Sequence, residues 1–181
     1  MEKSRTQNME FSGTDRLLFL KYALACSDSK IRRKEMPEEV AVRVIGLISK
    51  NEVPAEPVEG YFKIAMGMCK MIAKRMGKSE IDAGVIRQYF LIEHPKVVDE
   101  QCKLNLVDPP DPIRCKARVG TVIKTDGDLA VVETPTGKET DKTVFAKDVK
   151  EKDKVIVHLD FIVEKMSPEV EAALAAKSVL S

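Results

Sequence analysis

The sequence has little of several residue types, and each scarcity argues against a class of protein. Trp is absent and aromatic residues make up only 5% of the 181 residues, so few side chains are available to stack on nucleic acid bases. No run of about 18 apolar residues occurs, so we expect no membrane-spanning helix. The N-terminal stretch MEKSRTQNMEFSGTD has no apolar core of the kind that a signal peptide needs.

The four cysteines form no CxxC pair, and their positions are Cys26, Cys69, Cys102 and Cys115. This spacing predicts neither a disulfide framework nor a zinc site. Free thiols together with the polar N-terminus favour a reducing compartment, and we expect the protein to be cytoplasmic.

Neither positive nor negative charge is in large excess. The formal net charge is +1, and residues 115–181 contain 11 Lys and Arg against 12 Asp and Glu. Phosphate binding needs a basic surplus, so nucleic acid is not an expected partner. The sequence contains no GxSxG, P-loop, GxGxxG or HExxH motif, and we do not expect an enzyme.

Residues 1–104 carry apolar residues at helical spacing and predict a small helical bundle domain. We expect a frayed tail to residue 13 and helices that begin near Asp15, Pro37, Pro57 and Ser79. Ser27–Ser29 is expected to end the first helix, and Pro95 to interrupt the fourth.

Several side chains of this part have an ordinary structural interpretation. The basic run Lys30–Lys34 is followed at once by Glu35 and predicts a solvated segment. Cys69 lies on the apolar face of its helix and is expected in the core, and the neighbouring methionines are expected to fill core space. His94 beside Pro95 is interpreted as a helix-end histidine and not as a metal ligand.

Residues 105–114, NLVDPPDPIR, hold three prolines within four positions and predict an extended linker between two domains. From Cys115 the apolar period changes to two. Asp126-Gly127 predicts a hairpin, Thr134–Gly137 a second turn, and Val155–Val163 one long β-branched strand. Short strands joined by hairpins predict a small OB-like β-barrel, and Ser167-Pro168-Glu169 predicts the start of a C-terminal helix. The expected fold is therefore α+β with two domains, residues 1–104 and 115–181.

The second part resembles the HypC/HupF family of [NiFe]-hydrogenase maturation chaperones. The shared features run in order: Cys115, Ala117, Gly120 and Val122; the acidic-Gly hairpin and AVV strand of 126–132; the V-x-V-H-x-x-F strand with Val155, Val157, His158 and Phe161; and a charged Glu164-Lys165 before a helix. The resemblance covers about 60 residues. In the family the Cys usually follows the initiator Met, whereas Cys115 is internal.

The resemblance implies a non-enzymatic chaperone that binds a HypD-like maturation protein and the hydrogenase large-subunit precursor. It implies Cys115 and His158 as partner- or iron-binding residues, with no stably bound cofactor and transient carriage of an Fe(CN)₂CO unit. A thiolate suits low-spin iron, and an imidazole is a reasonable second ligand.

Two other functions stay open at the level of sequence. The barrel could be a repurposed interaction module with no metal role, since Arg118-Val119 replaces an apolar-Pro pair of the family pattern. An OB-like barrel could also bind single-stranded nucleic acid, but Phe145 and Phe161 are the only aromatic residues after residue 114, which makes this the weakest alternative.

Overall fold

A computed structural model describes residues 9–104 and 112–179, with side chains to residue 175. The first eight residues of the predicted tail and most of the predicted linker, residues 105–111, lie outside the described residues. The described part is α+β, with helices followed by a closed five-stranded β-barrel and a last helix. The α+β prediction of helices followed by a barrel is therefore confirmed.

The helices of the first part begin close to the predicted positions. Their bounds are α1 Asp15–Leu24, α2 Ser27–Arg32, α3 Glu38–Ile48, a 3-10 turn Val58–Phe62, α4 Lys63–Arg75, α5 Ala83–Arg87 and α6 His94–Lys103. Ser27–Ser29 does not end helical structure as predicted, because the chain turns once at Cys26 and starts α2. Asp82 caps α5 by accepting a hydrogen bond from the Val85 N–H at 3.0 Å.

Pro95 does not interrupt the fourth helix, contrary to the prediction. A π-helical segment, Gln88–Glu93, joins α5 directly to α6, and Pro95 is the second residue of α6. Proline lacks an N–H and its ring clashes with the carbonyl four residues earlier in a regular α-helix. The wider π-helical turn just before the proline therefore lets the helix continue through it.

The barrel strands are β1 Arg118–Asp126, β2 Leu129–Thr134, β3 Gly137–Lys142, β4 Lys154–His158 and β5 Phe161–Lys165. They close in the order β1-β2-β3-β5-β4. Neighbours pair antiparallel except β3 and β5, which pair parallel at Lys142 and Phe161. The final helix α7, Pro168–Val179, follows β5, and the Ser167 hydroxyl oxygen accepts a hydrogen bond from the Val170 N–H at 3.3 Å.

Two turns, at Gly127 and at Leu159, decide which strand predictions are confirmed and which one is wrong. Gly127 has a φ of 58° in the β1–β2 hairpin, as the Asp-Gly pair predicts. The predicted long strand Val155–Val163 is wrong: Leu159 has a φ of 51°, and the chain reverses there, so β4 and β5 form a hairpin in which His158 pairs with Phe161. Neither Gly nor Asn occurs at this turn, so the local residue pattern did not predict it.

One apolar core runs through the helices and onto the outside of the barrel. Phe19, Leu20 and Phe90 from the helices belong to the same buried cluster as Ile156 and Val163 from the barrel. A smaller cluster fills the barrel interior and consists of Val122, Ala130, Val132, Ala146, Val149, Val155, Val157 and Ile162. The helices and the barrel therefore share buried surface.

A polar contact joins the two parts at the edge of the shared core. Glu164 on β5 accepts hydrogen bonds from the Tyr22 hydroxyl at 2.6 Å and from the Arg87 guanidinium at 2.8 and 3.2 Å. Both members of the Arg87–Glu164 ion pair are largely buried.

Within the described residues, no helix has the length and apolarity to cross a bilayer.

Candidate metal centre

Four potential metal ligands meet where the helices face the barrel. Cys26, His94, Cys115 and His158 each offer one sulfur or nitrogen atom, and these four atoms lie within 4.8 Å of one another. Two come from the helices and two from the barrel part. They include both histidines of the chain.

Each ligand lies at the end of an element. Cys26 occupies the turn between α1 and α2, where its N–H donates to the Ala23 carbonyl oxygen at 3.1 Å. His94 is the first residue of α6, directly after the π-helical segment. Cys115 lies in the turn before β1. Element ends leave side chains less enclosed than element centres do, which suits a ligand set.

The alternation of β4 brings His158 to this place. Val155 and Val157 point into the barrel, whereas Ile156 belongs to the core shared with the helices. His158 has the parity of Ile156, so its ring faces the helices. The ring centroid lies 6.5 Å from that of Tyr22 and 5.4 Å from that of His94, and the residue is fully buried.

Hydrogen bonds hold three of the four ligands together. His158 Nε2 lies 2.9 Å from the Cys115 carbonyl oxygen and 3.4 Å from Cys26 Sγ. A carbonyl oxygen only accepts, so Nε2 carries the proton in the metal-free protein. The Nδ1 atoms of His94 and His158 are buried without a hydrogen-bond partner among the described residues. Buried polar atoms without partners are rare and often occur at functional sites.

The pKa values of the two thiols, Cys26 and Cys115, are shifted in opposite directions. The pKa of Cys115 is lowered to about 5 because the Cys26 thiol donates a hydrogen bond to it, with His158 adding to the effect and burial opposing it. The same hydrogen bond, together with burial, raises the pKa of Cys26 well above its usual value. Cys115 is thus the thiolate and Cys26 the thiol of a pair that shares one proton. A thiolate is the form of cysteine that binds metals.

The histidine of the helical part is held neutral. Burial lowers the pKa of His94 to about 3, and the nearby His158 ring acts in the same direction. A neutral imidazole is the form that donates a lone pair to a metal. At pH 7 the site therefore offers a thiolate and a neutral imidazole from opposite sides.

The donor set fits a transition metal. Two sulfur and two nitrogen donors are typical of zinc and of iron–sulfur chemistry. Tetrahedral bonds of about 2.0 to 2.3 Å place neighbouring donors about 3.3 to 3.8 Å apart. The widest separation of 4.8 Å therefore needs to contract by about 1 Å on binding, which side-chain rotation at four element ends can supply.

The cluster opens into a cavity of about 300 Å³. Three of the ligands, Cys26, His94 and Cys115, line its wall, and so do the basic side chains Lys30 and Arg33. The prediction of a purely solvated basic run is therefore too simple, because two of its members face this cavity. The fourth ligand, His158, lies behind the other three.

Sequence reasoning identified half of this ligand set. Cys115 and His158 were implied by the family resemblance, and the structure brings them together. Cys26 was not considered as a ligand, and His94 was interpreted as an ordinary helix-end residue. The spacing of 68 positions between Cys26 and His94 carries no local motif. The available signal was scarcity, since a chain with only two histidines uses both here.

No known protein family matches the chain, and no curated protein sequence matches it significantly. The family resemblance thus depends on the residues quoted above, and the case for a function depends on the site.

Proposed function

We propose that the protein is a metallocentre-assembly chaperone that holds iron within the cluster of Cys26, His94, Cys115 and His158. The observation that carries the proposal is the convergence of four ligand atoms within 4.8 Å. The resemblance to the HypC/HupF family adds the nature of the cargo, an Fe(CN)₂CO unit delivered to a hydrogenase large-subunit precursor. The protein would act in the cytoplasm with a HypD-like partner and without catalysing a reaction of its own.

The barrel topology supports the resemblance. We propose that the barrel is of the OB type, because its strand order β1-β2-β3-β5-β4 and the parallel pairing of β3 with β5 agree with a five-stranded Greek-key barrel. Cys115 precedes β1 and His158 ends β4, which are neighbouring strands of this barrel. The helices preceding it are proposed to form a bundle that supplies the other two ligands.

The helical ligands account for the internal position of Cys115. A family member that begins with its Cys has a free α-amine next to the thiol, and this chain does not. Cys26 and His94 provide two further donors in the same chain, so iron would be held without that amine. The Cys115 thiolate would supply the soft, anionic ligand that low-spin iron favours. Two of the other three donors would complete six-coordination, because the two cyanides and the carbonyl occupy three positions.

The first experiment is anaerobic purification of the full-length protein from its source cell, followed by metal analysis and infrared spectroscopy. Because carriage is transient, we expect up to one iron per chain, with bands from cyanide and carbonyl ligands. Cys26→Ala and Cys115→Ala should lose the metal, and Cys102→Ala, which changes a thiol outside the cluster, should keep it. One zinc per chain without those bands would contradict iron delivery and leave a structural metal site.

A second experiment tests the partners. We expect the wild-type protein to capture a HypD-like maturation protein and the large-subunit precursor, and Cys115→Ala to lose the HypD-like partner. Recovery of unrelated partners by a metal-free protein would favour the alternative of a repurposed interaction module. Salt-dependent retention on single-stranded DNA would favour the nucleic acid alternative.

A further inference from the structure

The metal centre is open on one side. Cys26, His94 and Cys115 form part of the cavity wall, and His158 lies behind them, fully buried. Structural zinc sites are enclosed by their four ligands, whereas sites that exchange a ligand keep one position accessible. A metal held here would face about 300 Å³ of space on the cavity side.

Two cations are placed on the same wall as the thiols. Lys30 and Arg33 follow Cys26 by four and seven residues, a spacing that puts all three on one face of α2. Both line the cavity. Cys26 and Cys115 line the same cavity wall as these two cations. The cavity therefore carries positive charge close to the metal position.

Glu35 is the present counter-ion of both cations. Its carboxylate lies 2.6 Å from Lys30 Nζ and 2.9 Å from Arg33 Nε, and its side chain is 44% exposed. Exposed ion pairs contribute little free energy, so another anion can compete for the same cations. The remaining wall is largely apolar and includes Phe62, Phe90 and Val98. Such a wall favours a small, weakly hydrated anion over a strongly hydrated one.

We propose that this cavity binds a small anion that coordinates the metal at its open side and pairs with Lys30 and Arg33. The proposal rests on the proposed function, because it needs a metal at the four ligands. In a centre without the cyanide and carbonyl ligands, two thiolates neutralise a divalent metal, and an added monoanion gives the centre a charge of −1. Lys30, Arg33 and Glu35 together carry +1, which balances it. The ligand class is a small monoanion.

The test uses the full-length protein loaded with Co²⁺, whose absorption bands report coordination number, and azide as the anion. We expect azide to lower the d–d band intensity in a saturable titration as the metal becomes five-coordinate. Lys30→Gln and Arg33→Gln should each weaken azide binding about 3- to 10-fold, because each removes one charge-assisted contact. Arg32→Gln, on the same helix but outside the cavity lining, should bind azide as the wild type does.

We expect Glu35→Gln to have the opposite effect on azide affinity. Removing the competing carboxylate leaves two cations unneutralised, so we expect azide to bind more tightly, by about 3-fold or more. A purely structural role of the Glu35 ion pairs would not strengthen anion binding.

The outcomes separate the two proposals. If Co²⁺ produces no thiolate charge-transfer bands, both the metal centre and the anion site are refuted. If Co²⁺ binds but azide leaves its bands unchanged, the anion site is refuted and the metal centre stands. Equal weakening in the Arg32, Lys30 and Arg33 variants would reveal a general charge effect and would also refute the anion site.

Discussion

Metal binding should be strongly coupled to the stability of this protein, because its ligands come from segments that are far apart in sequence. Cys26 and His94 belong to the helices, and Cys115 and His158 to the barrel part. The unfolded chain does not hold these four atoms together, so the metal binds almost only to the folded state. The free energy of unfolding therefore rises with free metal concentration.

The size of the effect follows from mass action. Free metal at about 1,000 times its dissociation constant adds about 4 kcal/mol to the free energy of unfolding. For a chain of 181 residues, each kcal/mol raises the melting temperature by about 2 to 4 °C, so we expect an increase of about 8 to 16 °C. Thermal unfolding followed by circular dichroism, with zinc and with chelator, measures this shift.

The matched variants compare the metal-induced shift and not the melting temperature itself. Cys26→Ala removes one ligand and should reduce the shift to a few degrees. Cys102→Ala changes a thiol that lines the cavity but lies outside the ligand set, so the shift should stay at its wild-type value. The reasoning is refuted if saturating zinc leaves the wild-type protein unshifted, or if Cys26→Ala is stabilised as much as the wild type.

Three further changes test other parts of the structure. Gly120→Ala would place a Cβ 2.4 Å from Val132 Cγ1 inside the barrel, and we expect a loss of about 1 to 3 kcal/mol in urea unfolding; an unchanged midpoint would count against this packing. Burial raises the pKa of Asp141 to about 7. The folded state therefore keeps a proton that the unfolded chain releases near pH 4, so stability should fall by up to about 4 kcal/mol between pH 4 and 7. Asp141→Asn should flatten that decline, measured as urea midpoints across the range. Glu164→Gln leaves the Arg87 guanidinium without its carboxylate and should lower the free energy of unfolding by about 2 kcal/mol. This is below the range for fully buried pairs, since both side chains keep some solvent contact. A variant as stable as the wild type at both 1 M salt and low salt would contradict this expectation.

Much of the fold could be predicted because its signals are local. The Asp126-Gly127 hairpin and the alternation around it act over a few residues and place β1 and β2. The errors at Leu159 and Pro95 arose where local rules were overridden, whereas Ser27–Ser29 begins a new helix after a single turn at Cys26. Leu159 adopts a positive φ that a β-branched strand pattern does not predict. A π-helical turn lets the helix continue through Pro95.

The site was only half predictable because two of its ligands are defined by tertiary contact. Cys115 and His158 belong to a pattern that resembles a known family, so sequence pointed to them. Cys26 and His94 acquire their role only when the helices pack on the barrel through residues such as Phe90. No spacing rule encodes that packing.

The π-helical segment Gln88–Glu93 sets the phase of everything that follows it on the same helix. An α-helix turns about 100° per residue, and a π-helical turn accommodates one residue more than an α-helical turn does. If the same residues formed a regular α-helix, His94 would point about 100° away from Cys26 and the barrel. The ligand set thus depends on the helical geometry of this segment as well as on the identity of the ligands. Substitutions that turn this segment into a regular α-helix without changing its length would therefore rotate His94 away from the candidate metal centre without altering any of the four ligands.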